Sequence, residues 1–384
     1  VLKSGSRLEI HDGAEFIVGY GGRLIVEDGA EIALHDGGKI IIEDGGEMIY
    51  ENTNLGSPMQ LGSFGSTGTQ GELRIHGTLT VKDNTVLDAD GNGYVHFMPF
   101  HTLDLQGNSY VRLFGEDKNK KMLEVAAGAT LTLDEKNFIV ADGGMKITGT
   151  VNLLDNVSVI SNSQMYGGGL IYASGNTSFK VQFCDVGGPK IQVENTLGAP
   201  FFDNNEIHSG NPAVHILNCN ITNVQNNDIH NNTKGFVFEN SNLVNFTNNV
   251  VEINGIGIEI LNSITCNIRN SEFKYSSVAG IKALNTQAVY FYDTRVHNNG
   301  GLGLHADFTE VYLRNGTSFD SNWFTAIKME GSTDLSDAML TVGDVGCGKI
   351  SNNNTEQIAG VPAVIGKNII FVLIIFKFIL HYFS

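Results

Sequence analysis

The stretch "NNDIHNNTKGFVFENSNLVNFT", residues 226–247, decides the fold. It opens on Asn-Asn, follows with a lone apolar residue, and recurs in nearly the same wording on either side. Upstream, from Asn204, stands "NNEIHSGNPAVHILNCNITNVQ", and downstream, from Asn248, "NNVVEINGIGIEILNSITCNIR". Frames open at Asn204, Asn226, Asn248 and Asn270 at intervals of 22, then at Asp293 and Gly316 at intervals of 23. Such self-similarity fixes which residues can be neighbours, so it is read before any motif.

Three apolar tracks recur within the frames. The first is Ile207, Ile229, Val251, Phe273, Val296 and Phe319. A second pairs Val214/Ile216, Phe236/Phe238, Ile258/Ile260, Ile281/Ala283 and Leu304/Ala306. The third pairs Thr222/Val224, Val244/Phe246, Cys266/Ile268, Val289/Phe291 and Val311/Leu313. Positions two apart share one face of a strand. Three short strands per coil, stacked in parallel, would enclose one core with rungs about 4.8 Å apart. Asn204, Asn226, Asn248 and Asn270 would then stack at one corner, and Asn218, Asn240, Asn262 and Asn285 at another. A stacked amide donates to one neighbouring rung and accepts from the other, and Asn tolerates tight turn conformations.

The first fifty residues keep a shorter beat. "GSRLEIHD", "GAEFIVGY", "GGRLIVED", "GAEIALHD", "GGKIIIED" and "GGEMIYEN" run end to end from Gly5 to Asn52. Gly opens each unit and apolar residues fill its fourth and sixth places, a strand and a turn. Three octads make a coil of 24, close to the later interval. From Gly71 to Gly188 the grammar loosens, and "ENTNLGSPMQLGSFGSTGTQG" (51–71) reads as a loop. The expected fold is all-β: a single-stranded right-handed parallel β-helix with three sheets and about 22–24 residues per coil. It would span 1–350, with octad coils at 1–52, irregular coils at 53–180 and 22-residue repeats at 181–350. A tail, 351–384, would lie outside the solenoid core.

The frame N-x-I, G-I-x-I, N-S and an apolar pair, over roughly residues 180–330, resembles the right-handed parallel β-helix repeat of the pectin-lyase-like superfamily. The octads followed by such repeats also resemble large secreted bacterial surface proteins. These resemblances imply a secreted or cell-surface bacterial location and a polysaccharide or cell-surface glycan as partner. The fold itself hosts lyases, hydrolases, adhesins and tailspike-like binders.

A formal charge of −17 argues against nucleic acid as a partner. It leaves room for an acidic sugar bridged by calcium. Four cysteines (Cys184, Cys219, Cys266, Cys347) show no metal-ligand spacing and read as small core residues or free thiols. The chain opens at Val1 inside a repeat, as a mature form or a fragment would. The one segment that offers a membrane contact is the apolar run 368–384. Its core, Ile369–Leu380 with Lys377 inside, falls short of the roughly 20 residues a spanning helix needs. The other readings are a strand capping the solenoid's open end and, favoured by the abrupt loss of the repeat, a foreign C-terminus.

Outward positions of the first track are the densest ionisable patch: Glu206/His208, Asp228/His230, Val250/Glu252, Glu272/Lys274, Arg295/His297 and Ser318/Asp320. Glu206, Asp228 and Glu252 supply the oxygen ligands that calcium prefers. The lyase resemblance then implies Lys274 or Arg295 as base in β-elimination from a uronic acid. Asp228 with Glu252 could instead serve as the acid pair of glycoside hydrolysis, although the hydrolase blocks Asn-Thr-Asp, Asp-Asp, Gly-His-Gly and Arg-Ile-Lys are not matched. His208 and His230 with nearby carboxylates suit a transition metal. A solvated face of alternating charge accounts for the same residues without any ligand.

On the third track, Tyr290, Tyr292 and Tyr312 stand outward beside Arg269 and Arg314. Aromatic faces stack on sugar rings and guanidinium pairs with carboxylates, so these five are the candidate glycan ligands. Cross-strand aromatic pairing is the competing explanation. The expected function is a non-catalytic β-helix that binds polysaccharide, as an adhesin or structural rod. The alternative is a lyase, or less readily a hydrolase, on the Glu206–His297 face.

Overall fold

In a computed structural model, each octad forms one strand: Arg7–Ile10, Glu15–Val18, Arg23–Val26, Glu31–Leu34, Lys39–Ile42 and Glu47–Tyr50. Strands three octads apart pair in parallel, with Arg7 opposite Glu31, Glu15 opposite Lys39 and Arg23 opposite Glu47. Ile10, Val18, Ile32, Ile40 and Met48 are buried. Gly5, Gly13 and Gly21 take φ of 70–76° at the turns, where a side chain would be strained.

The structure describes residues 1–34 except 12, 28 and 29, the strands between 39 and 125, and residues 126–330 except 129. Beyond these it describes four short strands from Leu340 to Ile365. Among the described residues every regular element is a strand. The loop expected at 51–71 is described only at Met59–Leu61 and Gly71, and the apolar run 368–384 lies outside the described residues. Ile358–Ala359 and Val364–Ile365, within the expected tail, pair in parallel with Ile327–Glu330 and Leu340–Val342.

The chain divides into two compact units, Val1–Phe201 and Phe202–Ser384. In the first, the later coils are tighter than the expected 22–24 residues. Thr130, Thr150 and Leu170 are successive register partners, an interval of 20, followed by Lys190. The cause is the corners. Asp155–Asn156 and Asn162–Ser163 are two residues each, and Gly167–Gly169 is three.

In the second unit the three tracks are three parallel stacks. The first runs through Glu206–His208, Asp228–His230, Val250–Glu252, Glu272–Lys274, Arg295–His297 and Ser318–Asp320. The second runs from Val214–Leu217 to Ile327–Glu330, and the third from Ile221–Gln225 to Glu310–Arg314. Every inward residue named from the sequence, Ile207 through Phe319, is buried. Phenylalanines meet inside, Phe236 on Phe202 edge-on at 5.5 Å and Phe246 stacked on Phe273 at 5.7 Å. Each buried ring contributes about 1.5–3 kcal/mol.

The doubled asparagine divides its tasks. The first of each pair, Asn204, Asn226 and Asn248, adopts φ of 53–57° and turns the corner. Its side chain lies outside, as in Asn248 Nδ2 to Asn226 Oδ1 at 3.2 Å. The second is buried: Asn205, Asn227 and Asn249 bond rung to rung and satisfy backbone groups that the bend leaves unpaired. Between the first and second sheets, Asn232, Asn254, Asn299 and Asn322 repeat the device. Ser241, Ser263, Thr286 and Thr309 occupy the third corner.

Candidate functional site

Two outward faces of the second unit hold the candidate residues. On the first sheet, Glu206 and Asp228 are register partners in one column, while His230 and Glu252 are partners in the next. Rungs about 4.8 Å apart bring the charges within reach of one another. His208 and His230 stack with ring centroids 5.3 Å apart, and His230 Nε2 lies 3.1 Å from Glu206. Lys274 is held between Glu252 at 3.2 Å and Glu272 at 3.1 Å. Glu272 also meets His297 Nε2 at 2.7 Å, and Asn298 donates to the other ring nitrogen, which fixes Nε2 as the protonated one. Arg295 grips Asp320 through two bonds of 3.2 and 3.3 Å.

This pairing sets the protonation states. Burial works against charge on Lys274, but its bonds to Glu272 and Glu252 outweigh burial and hold its ammonium above the ordinary value. Glu272 is likewise opposed by burial and is held low by His297 and Lys274. Asp228 goes the other way. Burial raises its carboxyl, with the negative Glu252 and Glu206 adding to the rise against His230 and Lys274. Among the described residues no three His, Cys, Asp or Glu side chains form a metal-holding group. Cys184 and Cys266 are buried thiols, the first pushed up to about 12 and the second also raised by burial, unsuited to nucleophilic work.

The third-sheet face is different in kind. Asn267, Tyr290 and Tyr312 form one column, and Arg269, Tyr292 and Arg314 the next. Tyr290 and Tyr312 stack in parallel at 4.5 Å, so their ring faces cover one another along the coil axis. Arg269 lies 3.9 Å over the ring of Tyr292, and Arg314 5.7 Å from that of Tyr312. The Tyr312 hydroxyl donates to Glu310 at 2.6 Å, which with burial pushes the phenol up to about 12. Among the described residues neither Arg269 nor Arg314 forms an ion pair, in contrast to Arg295. The sequence brought all five residues to one face, but Glu310 was missed. Its signal was the i, i+2 spacing to Tyr312.

A third surface was also missed. At the corner between first and second sheets, Tyr275, Val278, Trp323 and Phe324 are exposed. Aligning the corner segments "NTK", "NGI", "SSV", "NGG" and "NWF" would have shown a pair of glycines followed one coil later by two aromatics.

Residues 139–299 match the family described as right-handed β-helix region. The fold of the chain is a right-handed parallel β-helix. No curated protein sequence matches this β-helix. Among solved structures it is similar to the periplasmic alginate epimerase AlgG, at 11% identity and a TM-score of 0.33, over 84% of this chain and 77% of that one. The A-module of the Azotobacter vinelandii mannuronan C-5 epimerase AlgE4 gives 11% and 0.30, over 95% and 89%. The enzymatically active domain of bacteriophage CBA120 tailspike protein 2 gives 11% and 0.26, over 94% and 43%.

Proposed function

We propose that this β-helix binds an acidic polysaccharide on the third-sheet face of its second unit, without turning it over, at a bacterial surface or outside the cell. One observation carries the reading. In a chain of net charge −17, Arg269 and Arg314 lie against tyrosine rings without a carboxylate partner among the described residues. Contact with a ring steadies each guanidinium while leaving its donors for an incoming carboxylate. Two rungs separate the arginines, roughly 9.5 Å, so an extended chain of charged sugars can meet both. Tyr292 stands between the arginines in the same column, and the stacked Tyr290 and Tyr312 occupy the column beside it.

The first-sheet face suits elimination poorly. A base must be able to take a proton, yet Lys274 is held protonated by two carboxylates and Arg295 is engaged by Asp320. Asp228 favours hydrolysis as the second reading, because a raised carboxyl beside a Glu252 paired to Lys274 is the division of labour such chemistry uses.

The test is retention in gels containing alginate or polygalacturonate, with dextran as the neutral control, alongside assays for unsaturated and reducing ends. Retention on the acidic polymers that falls with Arg269→Ala and Arg314→Ala, without new ends, is the expected result. New reducing ends that vanish with Asp228→Asn would install the hydrolase reading in its place.

A further inference from the structure

The corner between the first and second sheets has a notch one rung high. The connection there lengthens along the second unit, from three residues at 231–233 to four at 298–301 and six at 321–326. Backbone bonds set the vertical order. Gly300 N donates to Ser276 O at 2.8 Å and Leu302 N to Val278 O at 2.9 Å. Trp323 N donates to Asn299 O at 2.8 Å and Phe324 N to Gly301 O at 3.3 Å. Ser277–Val278, Gly300–Gly301 and Trp323–Phe324 are therefore three successive levels of one edge. The middle level has no side chains.

The levels above and below are apolar and open. Val278 is 57% exposed, Trp323 63% and Phe324 50%, and Tyr275, beside them, is 52% exposed with φ +58°. Among the described residues neither Trp323 nor Phe324 packs on another ring. Together these large apolar side chains form an exposed patch at the corner, and the φ of Tyr275 is the turn conformation that Ile253 and Asn298 also take there. The glycines differ in their freedom. A Cβ on Gly301 would fall 1.9 Å from Val278 O, whereas one on Gly300 meets nothing closer than 3.7 Å. Gly300 is thus small without any steric need to be small.

We infer that this notch is a second glycan subsite, which takes one sugar ring between the Val278 level and the Trp323–Phe324 level. It rests on the proposed polysaccharide function and extends it to a different edge of the coil. A flat ring seated over Gly300 would lie about 4.8 Å from each flanking level, inside the 4.5–7 Å window of ring stacking. The notch is open at the front, so a polymer passes through and does not need to end there. Ser277 and Asn298 place a hydroxyl and an amide at its rim, groups that hydrogen-bond sugar hydroxyls. A sugar ring, apolar on its faces and polar around its edge, matches both features.

Trp323 is the only tryptophan, so emission excited selectively from tryptophan reports on this notch alone. Titration with alginate and polygalacturonate oligosaccharides should shift and saturate that emission. Gly300→Leu fills the notch at an unstrained position. It should abolish the emission response and weaken retention by about tenfold, with an unchanged thermal midpoint. Trp323→Ala should weaken retention likewise. If retention depends on Arg269 and Arg314 while Trp323 emission stays flat, the notch is not a subsite and the third-sheet function stands. If emission shifts in a Gly300-dependent way while the arginine variants bind normally, the notch stands and the third-sheet assignment falls. Absence of both responses overturns both.

Discussion

Asn227 donates its side-chain amide to Asn249 Oδ1 at 2.9 Å while its own Oδ1 accepts from the backbone and side chain of Asn205 at 3.0 and 2.9 Å. The same amide reaches Phe202 O and Gln225 O, so one buried side chain closes three coils together. Asn227→Leu keeps the volume and strands these partners without water. A loss of about 3 kcal/mol follows, at 1–3 for each buried group left unmet. Its neighbour Asn226 is exposed at φ +56°, and Asn226→Gly should change stability by only a few tenths of a kcal/mol, because its two side-chain bonds, to Asp203 and from Asn248, lie where water can replace them and glycine takes the turn conformation freely. Urea unfolding of the two variants checks the contrast. Equal losses would mean that the buried ladder is not the stronger device.

Glu259 on the second sheet is buried between Lys234 at 2.5 Å and Lys282 at 2.9 Å. Burial works against its charge, but the two ammonium groups prevail and its carboxyl lies below the ordinary 4.5. The native state therefore binds this proton less readily than the unfolded chain does. The stabilisation is complete above pH 4.5 and is lost as pH falls through the lower native value. Glu259→Gln leaves two lysines facing each other. It should cost about 1–3 kcal/mol at pH 7, between the exposed and buried cases, and flatten the acid limb of the stability profile. An acid limb of unchanged steepness would remove Glu259 from the account.

The core was legible in the sequence because burial in a solenoid is periodic. Ile207, Ile229 and Val251 had only to recur at one interval to be placed above one another, and no long-range guess was needed. The octads were as plain, since Gly5, Gly13 and Gly21 mark each turn. Side-chain partners outside the core were less so. The sequence set Lys274 beside carboxylates but could not show that it is clamped by two of them. Nor could it tell that Tyr290 and Tyr312 spend their faces on each other, because ring orientation depends on rotamers that spacing does not encode. The Trp323 corner went unseen for another reason. It lies in a connection, where the repeat tolerates any residue and periodicity carries no signal.

Gly257 marks the entry to a second-sheet strand, with Gly235, Gly280 and Gly303 at the same level of neighbouring coils. A Cβ there would lie 2.4 Å from Gly280 O and 2.9 Å from Val251 Cγ1. Backbone cannot yield as a side chain can, so Gly257→Ala should destabilise by about 1–3 kcal/mol. Gly300→Ala, whose Cβ would make only ordinary van der Waals contacts at 3.7 Å, should be neutral within about 0.5 kcal/mol. Thermal midpoints of the two proteins decide whether the glycine column is a steric requirement.

Glu310 shares the outward face of the Glu310–Arg314 strand with Tyr312 and Arg314. Its carboxylate accepts the Tyr312 hydroxyl, and that bond, with burial, keeps the phenol protonated up to about pH 12. The same negative charge opposes any carboxylated sugar that approaches Arg314. Glu310→Gln removes the repulsion and keeps a side chain able to accept from Tyr312. Affinity for alginate should rise about two- to fivefold at low salt, as expected for one exposed like-charge contact. The gain should shrink at high ionic strength, where exposed charges are screened beyond about 3 Å at 1 M. Tyr312 should also titrate closer to the ordinary tyrosine value of 10.0, which an alkaline ultraviolet titration against the unmodified protein resolves. A variant whose Tyr312 titration moves while alginate affinity does not would show that the phenol and the glycan are read by separate surfaces. The Arg314 end of the proposed site would then have to be abandoned.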